Sequence, residues 1–107
     1  MKERTIKLGL CKSRHNIQGV EEYIFENTLD PTNLKYMQEK ALETINKYSS
    51  DVDYLYLGLY VTGLTVATTS VINAVIKHNR TYKNRVILTL YHYNKDTDTY
   101  YPQQILG

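Results

Sequence analysis

Two stretches of this chain, DVDYLYLGLYV (51–61) and RVILTLYHYN (85–94), are apolar or aromatic on both sides when laid out as strands. In the first, Leu55, Leu57, Leu59 and Val61 share one face and Tyr54, Tyr56 and Tyr60 the other, with Gly58 between them. A strand with no polar side belongs inside a sheet that is covered above and below. That requirement excludes a helical bundle, and it excludes an antiparallel sheet with one wet face.

The segments between and before these strands say how they connect. TNLKYMQEKALETINKYSS (32–50) sets Leu34, Met37, Ala41, Leu42, Ile45 and Tyr48 at helical spacing. Asp30-Pro31 in front of it reads as N-cap and first helical residue. Glu43 stands four residues before Lys47, the favourable order for an ion pair along a helix. VATTSVINAVIKHN (66–79) is rich in β-branched residues, yet its length and the Asn79 stop favour a helix. TIKLGLC (5–11) reads as a first strand, VEEYIFENTL (20–29) as a short helix, and TYYPQQIL (99–106) as an antiparallel edge strand behind the NKDTD turn.

The order is strand, two helices, strand, helix, strand, strand. Strands alternating with helices imply right-handed crossovers and a parallel sheet. The expectation is one α/β domain over 1–107, a small Rossmann-like three-layer sandwich. Its sheet has three parallel strands plus the antiparallel C-terminal edge strand. Eleven tyrosines and no tryptophan leave that edge tyrosine-rich, which suits pairing with a second copy as a homodimer.

Charge and cysteine narrow the partners. Thirteen basic and eleven acidic residues are scattered without a basic stripe, so binding to a long nucleic acid is not indicated. The start, MKERTIKLGL, lacks the apolar stretch of a secretory signal, and no apolar run approaches a membrane span, so no membrane partner is expected. The single cysteine, Cys11, fits a reducing cytoplasm and reads as a small buried apolar residue. Three histidines without ligand spacing give no metal site, and no cofactor is indicated.

In open α/β sheets, ligands bind beyond the carboxyl ends of the strands. Three segments should meet there: Ser13, Arg14, His15 and Asn16 after the first strand; Thr62-Gly63-Leu64-Thr65 after the second; His92 and Tyr93 at the third. Free N–H groups at the start of a helix, with the hydroxyls of Thr62 and Thr65 and the bare backbone of Gly63, can hold a phosphate. The stretch matches no phosphate-loop pattern, and a plain turn with Thr65 as cap explains the same letters. Arg14 can pair with phosphate charge and His15 can move a proton. His92 reads either as a hydrogen-bonded core histidine or as a ligand contact, and His78 as a favourable charge at a helix C-terminus. One or more of Tyr60, Tyr91 and Tyr93 would stack on a base.

The small parallel sheet, the SRHN loop and the TGLT turn into a helix resemble CARF domains and related ring-nuclease-like nucleotide-signal proteins of prokaryotic antiviral systems. The resemblance implies a dimer that holds a cyclic nucleotide across the sheet edges. Three functions follow as expectations. The first is a binding protein for a phosphate-bearing signalling nucleotide. The second is a metal-independent phosphodiesterase acting on that nucleotide, with Arg14 and His15 as its catalytic pair. The third is a protein-interaction module or inhibitor from a phage or mobile element, with exposed tyrosines as anchors.

Overall fold

A computed structural model describes residues 1–11, 17, 19–25, 30, 32–61 and 65–106. The elements are β1 (Glu3–Cys11), β2 (Glu22–Phe25), α1 (Leu34–Ser49), β3 (Tyr54–Tyr60), α2 (Thr65–Thr81), β4 (Arg85–Asn94) and β5 (Thr99–Leu106). They build a five-stranded sheet in the order β2-β1-β3-β4-β5, in which β5 alone runs antiparallel to its neighbour. The α/β class, the mostly parallel sheet and the antiparallel C-terminal strand agree with the sequence reading.

The parallel strands number four, one more than expected, because part of the segment 20–29 is a strand and not a helix. β2 pairs with β1 through Leu8 to Glu22, Gly9 to Tyr23 and Cys11 to Phe25. Tyr, Ile and Phe favour a pleated surface, and β1 offers its free edge within ten residues of chain. The start of α1 also differs. Asn33 is the N-cap, its side chain accepting from the Tyr36 N–H at 3.1 Å. Asp30 instead closes a turn, its Oδ1 accepting from the N–H and hydroxyl of Thr32. Those two bonds hold the Asp30 carboxyl below its ordinary pKa.

Alternation along the strands sorts the side chains into two faces. Ile6, Leu8 and Leu10 of β1, Leu55, Leu57 and Leu59 of β3, and Val86, Leu88 and Leu90 of β4 are buried on one of them. Met37, Ala41 and Ile45 of α1 and Ala67, Val71, Ala74 and Val75 of α2 join them in a single core cluster. Both helices thus lie on the same face and against each other, as right-handed crossovers in one direction require. The helical layer of the expected sandwich is present on that side; no described helix covers the second face.

Seven of the eleven tyrosines occupy positions of that second face: Tyr23, Tyr54, Tyr56, Tyr60, Tyr91, Tyr93 and Tyr100. Two glycines make room for them. A Cβ on Gly9 would overlap the ring of Tyr23, and one on Gly58 would stand 2.8 Å from the Tyr91 ring. Tyr23 is held in place by the Ile17 N–H, which donates to its hydroxyl at 3.2 Å.

At β5 the backbone geometry is decided by one residue. The carbonyl of Tyr91 accepts from the Val61 N–H at 3.0 Å, so Tyr91 turns its polar backbone groups toward β3. Its partner in register, Pro102, consequently turns its own backbone away from β4, toward the outside. Proline has no N–H to offer there, and the open edge of the sheet lacks a donor at its centre.

Candidate functional site

The chain leaves β1 toward β2 on one side and leaves β3 toward β4 on the other, so the strand order reverses between β1 and β3. The two connections diverge at the carboxyl ends of Cys11 and Tyr60, and such a divergence opens a crevice in α/β sheets of this 2-1-3-4 order. The sequence-predicted groups fall on these connections. Ser13, Arg14, His15, Asn16, Thr62 and Gly63 lie outside the described residues. Thr65, His92 and Tyr93 are described.

Thr65 is the exposed first residue of α2. No acidic side chain stands in the first turn of that helix, so its positive end is uncompensated by a carboxylate of its own. His92 and Tyr93 lie beyond the end of β3, because β4 runs on to Asn94 while the β3 register ends at Tyr60 opposite Tyr91. Being consecutive in a strand, they face opposite ways. His92 turns to the helix side, with Nε2 at 2.8 Å from Gln103 Oε1 and its ring 5.5 Å from that of Tyr101. Tyr93 turns to the second face, 48% exposed, its hydroxyl donating to Asp98 and its ring 5.4 Å from Tyr100. A ligand on one face cannot meet both.

Tyr60 and Tyr91 are already engaged. Their rings stack with centroids 4.8 Å apart, and Tyr100 meets Tyr60 edge-on at the same distance. Tyr60 is 7% exposed and has no free face for a base. Lys7 adds a cation that sequence reasoning did not place, its Nζ 5.6 Å above the Tyr91 ring. The signal for it was present, since Lys7 alternates with the buried Ile6 and Leu8 on β1. Hydrogen bonding to the Asp98 carboxylate, more than any burial, pushes the Tyr93 phenol up. Cys11 is half-buried rather than buried, and burial pushes its thiol up, away from a reactive thiolate.

A second cluster sits at the other end of the sheet, in a groove of about 570 Å³ whose walls include Asn46, Ser49, Asp53, His78, Tyr82 and Asn84. His78 is 2% exposed and burial disfavours its charged form, which corrects its reading as a favourable charge at a helix C-terminus. Nδ1 and Nε2 lie 3.2 Å from the side-chain oxygens of Asn46 and Asn84 respectively. Asn84 Nδ2 donates to the Ser49 carbonyl at 2.8 Å, which fixes its oxygen toward the ring. In the neutral imidazole the proton is therefore on Nε2. Burial lowers the His78 pKa, and the Asn84 bond works against that shift. The cluster ties α1, α2 and the start of β4 together; it lies at the amino ends of the strands, away from the carboxyl ends of β1 and β3.

The expected Glu43–Lys47 pair is replaced by two others: Lys47 reaches Glu22 of β2 at 3.4 Å, and Glu43 pairs with Lys40 at 3.6 Å. Among the described residues no three His, Cys, Asp or Glu side chains come together in a way that would hold a metal ion. No described helix is long and apolar enough to cross a membrane. Compared with known proteins, the chain matches no family model, no curated protein and no solved structure.

Proposed function

We propose that this chain binds a phosphate-bearing nucleotide, with signalling nucleotides, cyclic ones included, as the ligand class. The observation that carries the reading is the reversal of strand order between β1 and β3, with the Arg14-bearing and Thr62-Gly63-bearing segments as the connections that leave it. The start of α2, with Thr62, Gly63 and Thr65, would receive the phosphate, and Arg14 would pair its charge. Tyr93, the exposed ring of the tyrosine group at the carboxyl end of β4, is the one with a face to offer a base.

Calorimetric titration with cyclic and linear nucleotides tests this. Binding is expected, weakened roughly 10-fold or more by Arg14→Ala, as the loss of a charge-assisted hydrogen bond of about 1.5–3 kcal/mol predicts. Absence of binding across the panel, or binding indifferent to Arg14→Ala, would overturn the proposal.

A further inference from the structure

The groove at the amino ends of the strands is walled by two unpaired charges as well as by the His78 cluster. Its volume of about 570 Å³ falls in the range of small-molecule sites. We propose that it binds a small zwitterion, a free α-amino acid, with Asp53 taking the ammonium group and Lys83 the carboxylate. The proposal does not rest on the nucleotide reading, which concerns the carboxyl ends of the strands.

The charges come first. The Arg85 N–H donates to the Asp53 carbonyl at 2.9 Å, which sets the turns before β3 and β4 side by side. On those turns Asp51 pairs with Arg4 at 2.9 Å, whereas Asp53 and Lys83 have no ion-pair partner among the described residues. The Asp53 carboxylate takes the Lys2 N–H on Oδ2, which leaves Oδ1 to accept from a ligand. A carboxylate and an ammonium on the walls of one groove, too far apart to pair with each other, can each meet the opposite charge of a single zwitterion. A ligand of one sign satisfies only one of them. Next comes a buried hydroxyl. Ser49 lines the groove and is 1% exposed, and its Oγ has no hydrogen-bond partner among the described residues. That unpaired hydroxyl is a standing cost in the free chain, and a ligand carboxylate seated against Ser49 would accept from it. The Asn46 amide adds an acceptor. With the His78 proton on Nε2, the lone pair on Nδ1 requires the amide nitrogen of Asn46 to turn toward it. Asn46 is exposed, so its oxygen then remains free for an ammonium. Tyr82 completes the site: its ring, 51% exposed and 4.8 Å from that of His78, offers apolar surface to the side chain of an amino acid.

Amide NMR titration of the chain with the standard amino acids tests the proposal, followed by the N-acetyl and carboxamide forms of whichever binds most tightly. At least one amino acid is expected to bind and to shift the signals of Asp53, Tyr82 and Asn84. Blocking its ammonium or its carboxylate is expected to weaken binding about tenfold or more, the loss of one charge-assisted hydrogen bond. Asp53→Asn is expected to remove the preference for the free amine over the N-acetyl form. Lys83→Gln is expected to remove the preference for the free acid over the carboxamide. Both side chains are exposed, and far-UV circular dichroism confirms that each variant is folded. A change in preference between two ligand forms does not follow from a folding defect. Absence of binding by every amino acid overturns the proposal. So does binding indifferent to both substitutions, or a set of shifts confined to the carboxyl ends of the strands. A blocked form that binds as tightly as the free amino acid also overturns it, and identifies a ligand of one charge.

Discussion

Tyr60 and Tyr91, partners in register across β3 and β4, stack ring on ring with planes 10° from parallel. The arrangement depends on the absence of a side chain at Gly58, over which the Tyr91 ring leans. Gly58→Ala would place a methyl group 2.8 Å from that ring, too close without movement of the stacked pair. It is expected to destabilise the fold by about 1–3 kcal/mol, as overpacking does. Urea denaturation measures this. In a Tyr91→Ala background the same substitution should cost much less, and equal costs in both backgrounds would remove Tyr91 as the cause.

Tyr60 and Tyr93 should separate stability from binding. Tyr60→Ala opens a cavity under the tyrosine group and is expected to cost about 3 kcal/mol in folding free energy. Tyr93→Ala, at an exposed ring, is expected to leave the melting temperature nearly unchanged. It should weaken nucleotide affinity by about 1–3 kcal/mol, the range of one base stacked on an aromatic side chain. Thermal melts and calorimetry on the two variants give both quantities. Equal affinity in wild type and Tyr93→Ala would take the base off this residue.

His78 predicts an acid-sensitive fold. Burial depresses its folded pKa below the value in the unfolded chain, so the unfolded chain binds the proton more readily. Stability from this group is therefore fully present above the unfolded value of about 6.5 and falls as pH drops below it. Denaturation midpoints at pH 7.5 and 5.5 should show a loss in the wild type that shrinks in His78→Gln. A wild-type midpoint that rises on acidification would contradict the buried neutral imidazole.

Two buried hydroxyls, Ser49 Oγ and Thr68 Oγ1, have no hydrogen-bond partner among the described residues. A buried unpaired hydroxyl costs about 1–3 kcal/mol by mutational measures. Ser49→Ala and Thr68→Val, which keep the shape and remove the polar atom, are each expected to raise stability by up to about 1 kcal/mol. A clear loss in either variant would mean that its hydroxyl has a partner in solution.

The sequence made the sheet legible where strands declare themselves on both faces. Leu55, Leu57 and Leu59 against Tyr56 and Tyr60 could be nothing but a central strand, and β4 reads the same way. β2 was hidden because Tyr23, Ile24 and Phe25 satisfy a helical and a strand pattern equally over so few residues. What selects the strand is the free edge of β1, a tertiary fact that no local spacing carries. That no described helix lies on the tyrosine face was hidden for a different reason. An aromatic row reads as buried, but tyrosine also sits half in water, and only the placement of both helices on the leucine side distinguishes the two. Of the candidate site, the place was legible from topology, whereas Ser13, Arg14, His15, Asn16, Thr62 and Gly63 lie outside the described residues.

The chain has no tryptophan, so its near-ultraviolet optical signal comes chiefly from tyrosine. Tyr60 and Tyr91, stacked with ring planes within 10° of parallel, form a coupled chromophore fixed in the chiral frame of two neighbouring strands. That pair gives the protein an intrinsic reporter: its near-ultraviolet dichroism tracks side-chain packing on the second face, separately from the far-ultraviolet signal of the backbone. A ligand at the crevice or a partner on the face would write itself into that spectrum, with no label attached.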